Sequence, residues 1–130
     1  LAREVESEVL PAVEHYGLGF LPFFPLFNGL FTGKYTRGGG GPADGRLFSR
    51  PAALDRVPWD AVEAYQAFCD EREITMLEAT LGWFLARPSV SSVIAGATKV
   101  EQVEQNVVAA TAWAPTPDDV AAISDLFPTK

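Results

Sequence analysis

Apolar side chains recur at helical spacing in several stretches of the chain and crowd together without alternation in two others. Between Ser7 and Tyr16, the residues Val9, Ala12, Val13 and Tyr16 share one helical stripe. Ser7 stands where a cap is wanted, Pro11 fits only a first turn, and Gly17 suits a left-handed end. Leu18 to Phe24 reads as a short strand covered on both faces, weakened near its end by Pro22. Pro58 to about Arg72 predicts a helix with Val62, Tyr65 and Phe68 on one stripe. Another opens at Thr75, where Glu78 completes a capping box, and turns Leu77, Leu81, Phe84 and Leu85 inward until Pro88 closes the region. Val90 to Ala95 is the second strand. Thr98 and Glu101 repeat the capping-box spacing before a stripe of Val100, Val103, Val107 and Ala110. Thr116-Pro117-Asp118-Asp119 begins the last helix, with proline at its first position and acids near the positive end of the dipole.

Helices alternating with strands point to parallel βα units, yet two strands cannot close a sheet. The expectation is an arc of a larger α/β structure, most naturally of a barrel. An opening at Leu1, in what reads as a strand tail or the loop after it, suggests a piece of something larger. Residues 25 to about 56, including the glycine-rich stretch Gly38 to Gly41, are too long for a simple connector. Long loops in small domains commonly carry function.

Composition narrows the classes. The chain has 130 residues, 48% of them hydrophobic, which suits a globular domain with a core. A formal charge of −7 argues against nucleic-acid binding, which needs a basic face. Pro and Gly interrupt the longest apolar run, Leu18 to Phe31, so no membrane span is expected. The N-terminus has no signal-peptide pattern, and a single cysteine, Cys69, fits a reducing compartment. These features together indicate a cytoplasmic protein.

Chemistry concentrates at two places. Val93-Ile94-Ala95-Gly96-Ala97-Thr98-Lys99 leads into a helix whose free N–H groups and dipole suit a phosphate. Gly96 permits close approach, Thr98 adds a hydroxyl and Lys99 a charge; the plainer alternative is that Thr98 only caps the helix. The segment from Pro25 to Tyr35 follows Phe23 and Phe24, either of which could offer a ring face at a strand end. Lys34 could meet a phosphate, with Arg46 or Arg50 reaching the same ligand. Against this, the phenylalanines could be core and the basic residues solvated.

Catalytic groups are thin. His15 sits at a helix end, Cys69 lacks a basic activator, and Asp118 and Asp119 are first-turn acids. Tyr35 and Tyr65 have no identifiable acid–base partner, and no His/Cys cluster fits a metal. The expectation is a set of binding residues without a catalytic set.

Three ordered motifs carry a family resemblance over essentially the whole chain. Phe24-Pro25-Leu26-Phe27-Asn28-Gly29-Leu30-Phe31-Thr32-Gly33-Lys34-Tyr35 resembles the segment after strand seven of aldo-keto reductases, usually S-P-L-x-x-G-L-L-T-G-K-Y. Leu81-Gly82-Trp83-Phe84-Leu85-Ala86-Arg87-Pro88 is similar to their intervening helix, A-L-A-W-L-L-x-R-P. Ile94 to Asn106 resembles the strand-eight signature, close to I-x-G-A-S-x-x-E-Q-L-x-E-N.

The resemblance implies a partial (β/α)8 TIM barrel: residues 1–130 would be the C-terminal segment of one barrel domain, its last two βα units, strands seven and eight with their helices. It implies an oxidoreductase using NADPH, or less often NADH, to reduce aldehydes and ketones. By the same resemblance Phe23 would stack on the nicotinamide, while Pro25, Leu26 and Gly29 would line the pyrophosphate and ribose. Lys34 would lie near the phosphates and Arg46 near the adenosine phosphate. Gly96, Thr98 and Gln102 would meet the 2′-phosphate, and Gln105 and Asn106 the adenine. Phe24 replaces the usual serine, Gln105 the usual glutamate, and Phe27 is bulkier than the residue it replaces. The family's Asp, Tyr, Lys and His tetrad, with tyrosine as the general acid, belongs to the first half of the barrel. None of its positions matches here. The chain alone is therefore expected to be inactive, with its partners a missing N-terminal barrel half and a small-molecule carbonyl substrate. Two other readings are a non-catalytic nucleotide-sensing or regulatory subunit on the same fold, and a different barrel enzyme that takes a phosphorylated substrate at the same loops.

Overall fold

The computed structural model describes residues 3–38 and 40–129. Leu1, Ala2, Gly39 and Lys130 lie outside the described residues, and with them the opening Leu1 read above as a strand tail and one glycine of the run Gly38 to Gly41. The elements run from a 3-10 turn at Glu4–Glu6 to α1 (Val9–His15), 3-10 turns at Phe27–Thr32, α2 (Pro51–Leu54), α3 (Trp59–Glu71), α4 (Met76–Leu85), α5 (Val100–Ala112) and α6 (Pro117–Leu126).

The middle helices follow their local signals. Thr75 caps α4 in a full capping box: its hydroxyl oxygen accepts from Glu78 N–H at 3.1 Å, and Glu78 Oε2 accepts from Thr75 N–H at 2.7 Å. Thr116 and Asp119 do the same for α6, with Pro117 at its first position. Val62, Tyr65 and Phe68 of α3 are buried as their stripe requires. Around them close Leu30, Phe31, Leu47, Cys69, Met76, Ala79, Ile123 and Phe127, so one core joins the early turns, α3, α4 and α6. Each fully buried large aliphatic or aromatic side chain there contributes about 1.5–3 kcal/mol.

Several expectations need correction. The two predicted strands pair in parallel, but only as isolated bridges, Phe20 with Val90 and Phe23 with Ile94. Phe20 N–H donates to Ser89 O at 2.7 Å, Ser91 N–H to Phe20 O at 3.0 Å and Ile94 N–H to Pro22 O at 3.3 Å. Pro22 has no N–H to give, and no further strand among the described residues extends the ladder. Ser7 does not cap α1; its hydroxyl donates to Glu4 O, and of that helix only Leu10 is buried, while Val9 and Tyr16 face outward. Gly17 does end it with a positive φ of 63°. Leu85, in the last turn of α4, is exposed rather than inward.

The cap of α5 also differs from the expectation. Lys99, not Thr98, is its N-cap residue, and Glu101 makes no cap. Instead Gln102, one residue further on, turns its Oε1 back to accept from Thr98 N–H at 2.8 Å. Val100, Val103 and Val107 point outward, and the helix packs on α4 with Ala109 buried.

The two ends of the chain are tied by one ionic knot. Glu6 accepts from Arg3 at 2.6 and 2.8 Å and from Arg87 at 3.1 Å. Arg3 also donates to the carbonyls of Ser124 and Phe127 at the end of α6. Both guanidinium groups lie over the Trp83 ring, Arg87 at 4.1 Å and Arg3 at 5.6 Å from its centroid.

Candidate functional site

The parallel bridges set Phe23 beside Ile94, so the chains leaving both segments emerge on one side. The first exit turns sharply. Phe27 N–H donates to Phe24 O and Gly29 N–H to Leu26 O, and Phe24, Phe27 and Asn28 take positive φ angles of 53°, 45° and 56°. Bulky residues adopt this region rarely, at a local cost of about 1–3 kcal/mol each. Burial of Leu26, Leu30 and Phe31 on either side of them holds the segment in place. The second exit, Ala95 to Lys99, leads directly into α5.

Between the exits lies a groove of about 1120 Å³. Phe23, Pro25, Leu26, Gly29 and Lys34 line it from the first, Arg46 from the long loop, and Gly96, Thr98, Gln102, Gln105 and Asn106 from the second. Of the candidate binding residues named from the sequence, all but Arg50 border this one space. Arg50, the other basic candidate, instead borders an apolar cavity of about 500 Å³ beside Tyr65, Trp83 and Phe127. Phe23 is 74% exposed, so one face of its ring is open to the groove. Its one aromatic neighbour, Phe24, meets it in a T-shaped pair at 5.4 Å, and Phe24 too is exposed.

The groove also holds three cations, Lys34, Arg46 and Lys99, among the carboxylates Asp44, Glu78, Glu101 and Glu104. Lys34 Nζ lies 5.5 Å from the Tyr35 ring centroid and folds across Gly29. The Arg46 guanidinium nitrogens sit 4.0 Å from where a Gly96 side chain would begin. Lys99 Nζ meets Asp44 Oδ2 at 3.3 Å. The Thr98 hydroxyl, 3.3 Å from Gln102 Oε1, lies at the head of α5. Asp44 escapes a reading of the sequence, although Pro42-Ala43-Asp44-Gly45 has the composition of a tight turn.

No cysteine, histidine, serine or tyrosine lines this space among the described residues. Burial pushes the Cys69 thiol up to about 12, so it stays protonated within the core. Burial also raises the Tyr65 hydroxyl well above the ordinary phenol value, and its oxygen lies 3.0 Å from Thr80 Oγ1. His15 stacks edge-on against Tyr16 and does not line the groove. No group of His, Cys, Asp and Glu among the described residues is arranged to hold a metal ion. No described helix is long and apolar enough to cross a membrane.

The aldo/keto reductase family profile matches residues 1–127. The chain belongs to the aldo/keto reductase family. It is 35% identical over 112 residues to the NADH-specific methylglyoxal reductase of Escherichia coli K12, a match covering 84% of this chain and 34% of that protein. It is 33% identical over 114 residues to a probable voltage-gated potassium channel subunit beta of Arabidopsis thaliana, covering 82% of this chain and 34% of that one. Among solved structures, aldo-keto reductase AKR11C1 from Bacillus halodurans superposes with a TM-score of 0.71 at 25% identity, over 97% of this chain and 40% of that one. The chain thus spans about a third of the length of these curated relatives. Its family is one of oxidoreductases, and its fold corresponds to part of their (β/α)8 barrel.

Proposed function

We propose that residues 1–130 are the C-terminal, cofactor-holding segment of a single aldo-keto reductase barrel domain, acting in the cytoplasm on a small aldehyde or ketone. The cofactor is NADPH, with NADH the less common alternative. The observation that carries this reading is the groove itself, which joins an exposed aromatic ring at one strand end to several cations at another.

The residues present fit a dinucleotide. Ordinary small-molecule pockets occupy roughly 300–1,000 Å³, and this groove is larger. When bound, the reduced nicotinamide supplies a hydride. Phe23 offers the flat face against which that ring is set. Pro25, Leu26 and Gly29 form the wall along the pyrophosphate and ribose. Lys34, Lys99 and Arg46 neutralise phosphate charge, and Gln105 and Asn106 present amides to the adenine. Gly96 leaves room for close approach.

Reduction of a carbonyl also needs a proton delivered to its oxygen as the hydride reaches carbon. No described residue of the groove is placed for that task, so this segment binds and orients while the barrel's remaining units provide the acid. Those units would also cover the outward Val100, Val103 and Val107. In isolation the segment is inactive.

Titration of the natural protein with NADPH and NADH, followed by tryptophan fluorescence, tests the reading; quenching by at least one is expected. A protein that ignores both sinks it. A second reading, a nucleotide-sensing regulatory subunit on the same fold, is kept because relatives of the same family are named as channel beta subunits. Turnover of simple aldehydes excludes that one, and binding without turnover supports it.

A further inference from the structure

Of the carboxylates that line the groove, Asp44 is the one paired with a groove cation, Lys99, and the cofactor reading does not use it. We propose that Asp44 is a specificity-determining residue: held against Lys99, its carboxylate lowers affinity for a dinucleotide bearing a 2′-phosphate relative to one with a free 2′-hydroxyl. This rests on the cofactor reading above.

The loop that delivers Asp44 is anchored independently of Lys99. Tyr35 is buried, and its hydroxyl oxygen accepts from Leu47 N–H at 3.1 Å. Gly41 and Gly45 lie against the same side chain. A Cβ on Gly41 would stand 2.5 Å from the Tyr35 ring, and one on Gly45 would collide with its hydroxyl. Gly45 N–H donates to Pro42 O at 2.9 Å, closing the turn that carries Asp44. An exposed ion pair such as Lys99–Asp44 adds little to stability, so these contacts, and not the pair, set the loop.

The placement has a sign. A phosphate monoester carries about −1.5 to −2 charges at pH 7. To reach Lys99 it must displace Asp44 or sit beside it, and like charges at close range are a strong element of discrimination. Asp44 stays nearby either way, because Tyr35 holds its loop. Arg46, whose guanidinium nitrogens lie 4.0 Å from where a Gly96 side chain would begin, is then left to meet the phosphate. A 2′-hydroxyl meets the opposite situation, since it is a donor and the carboxylate an acceptor.

The test is Asp44→Asn in the natural protein, with dissociation constants for NADPH and NADH measured by fluorescence quenching and calorimetry at fixed salt. The NADPH-to-NADH affinity ratio should rise by about tenfold, and Asp44→Glu should keep it near the parent value. Adding Lys99→Met should remove most of the gain, because the cation released by Asp44→Asn is then gone. A ratio that stays put or falls in Asp44→Asn overturns the proposal while leaving the cofactor reading intact. Failure of the parent to bind either nucleotide overturns both.

Discussion

Tyr65 and Thr80 offer a double-mutant cycle whose outcome follows from burial. Tyr65 is 2% exposed, ringed by Phe31, Phe68 and Phe127 at 5.7–6.4 Å between aromatic centroids, and among the described residues its oxygen bonds only Thr80 Oγ1. Tyr65→Phe keeps the ring and deletes the hydroxyl. Thr80, lying within α4, can then turn its own hydroxyl to the carbonyl one turn back, so the loss should be about 1 kcal/mol. Thr80→Val is worse. It strands the Tyr65 hydroxyl among apolar side chains with nothing to donate to, at about 2–3 kcal/mol. Replacing both together removes donor and acceptor at once, and should cost no more than about 1 kcal/mol. The coupling energy is therefore about 2 kcal/mol, with the double variant more stable than Thr80→Val alone. Urea unfolding of the natural protein, with slopes compared to confirm a common transition, measures it. If the single effects simply add, the hydroxyl pair is not the closed unit described, and the reasoning is refuted.

Other outcomes follow from the same geometry. Phe23→Ala should change stability by less than about 0.5 kcal/mol, because the ring is already exposed, yet weaken nucleotide binding about tenfold; unchanged quenching titrations would remove Phe23 from the site. The Arg3 hydrogen bonds, opposed by burial and aided by Arg87, hold the Glu6 carboxyl below its ordinary value near 4.5. A depressed carboxylate contributes stability above the unfolded value that is lost as pH falls through the folded one. Glu6→Gln should thus cost about 1.5–3 kcal/mol near neutrality and flatten the loss of stability below about pH 5; parallel acid-unfolding curves would contradict it. Finally, the 130-residue chain expressed alone should lack a sharp thermal transition as a monomer, and a cooperative calorimetric peak would argue against the barrel-segment proposal.

What could be read beforehand divides by range. The α3 stripe and the caps of α4 and α6 depend on residues within a turn of one another, and they stand as their sequences imply. The binding candidates came from motifs that flank strand ends, and parallel pairing of those ends gathers them around one groove. Failures came where a distant partner decides. Val9 and Tyr16 have the right period for a buried stripe, but nothing among the described residues covers them. Asp44 reaches Lys99 only because Gly41, Gly45 and Leu47 fold around Tyr35, which no local spacing reveals. Arg50 lies four residues beyond Arg46, yet the turn between them sends it to a different cavity.

The helix α5 joins the argument about fold to the one about function. By apolar periodicity alone its valines belong inward and its amides outward. The opposite holds: Gln102, Gln105 and Asn106 line the groove, Ala109 packs against α4, and Val100, Val103 and Val107 are bare. Nothing within these residues repays that choice. Burying the three valines would contribute about 1.5 kcal/mol or more for each, comparable in sum to the whole stability of a small domain. A helix that forgoes this and turns amides toward an open groove makes sense where each face has its own partner. On the proposed reading the amides would serve a bound nucleotide, and the valines would meet the sheet and helices that complete the barrel. The groove and the bare stripe are thus two consequences of one helix orientation, so a ligand site and an incomplete core are expected together.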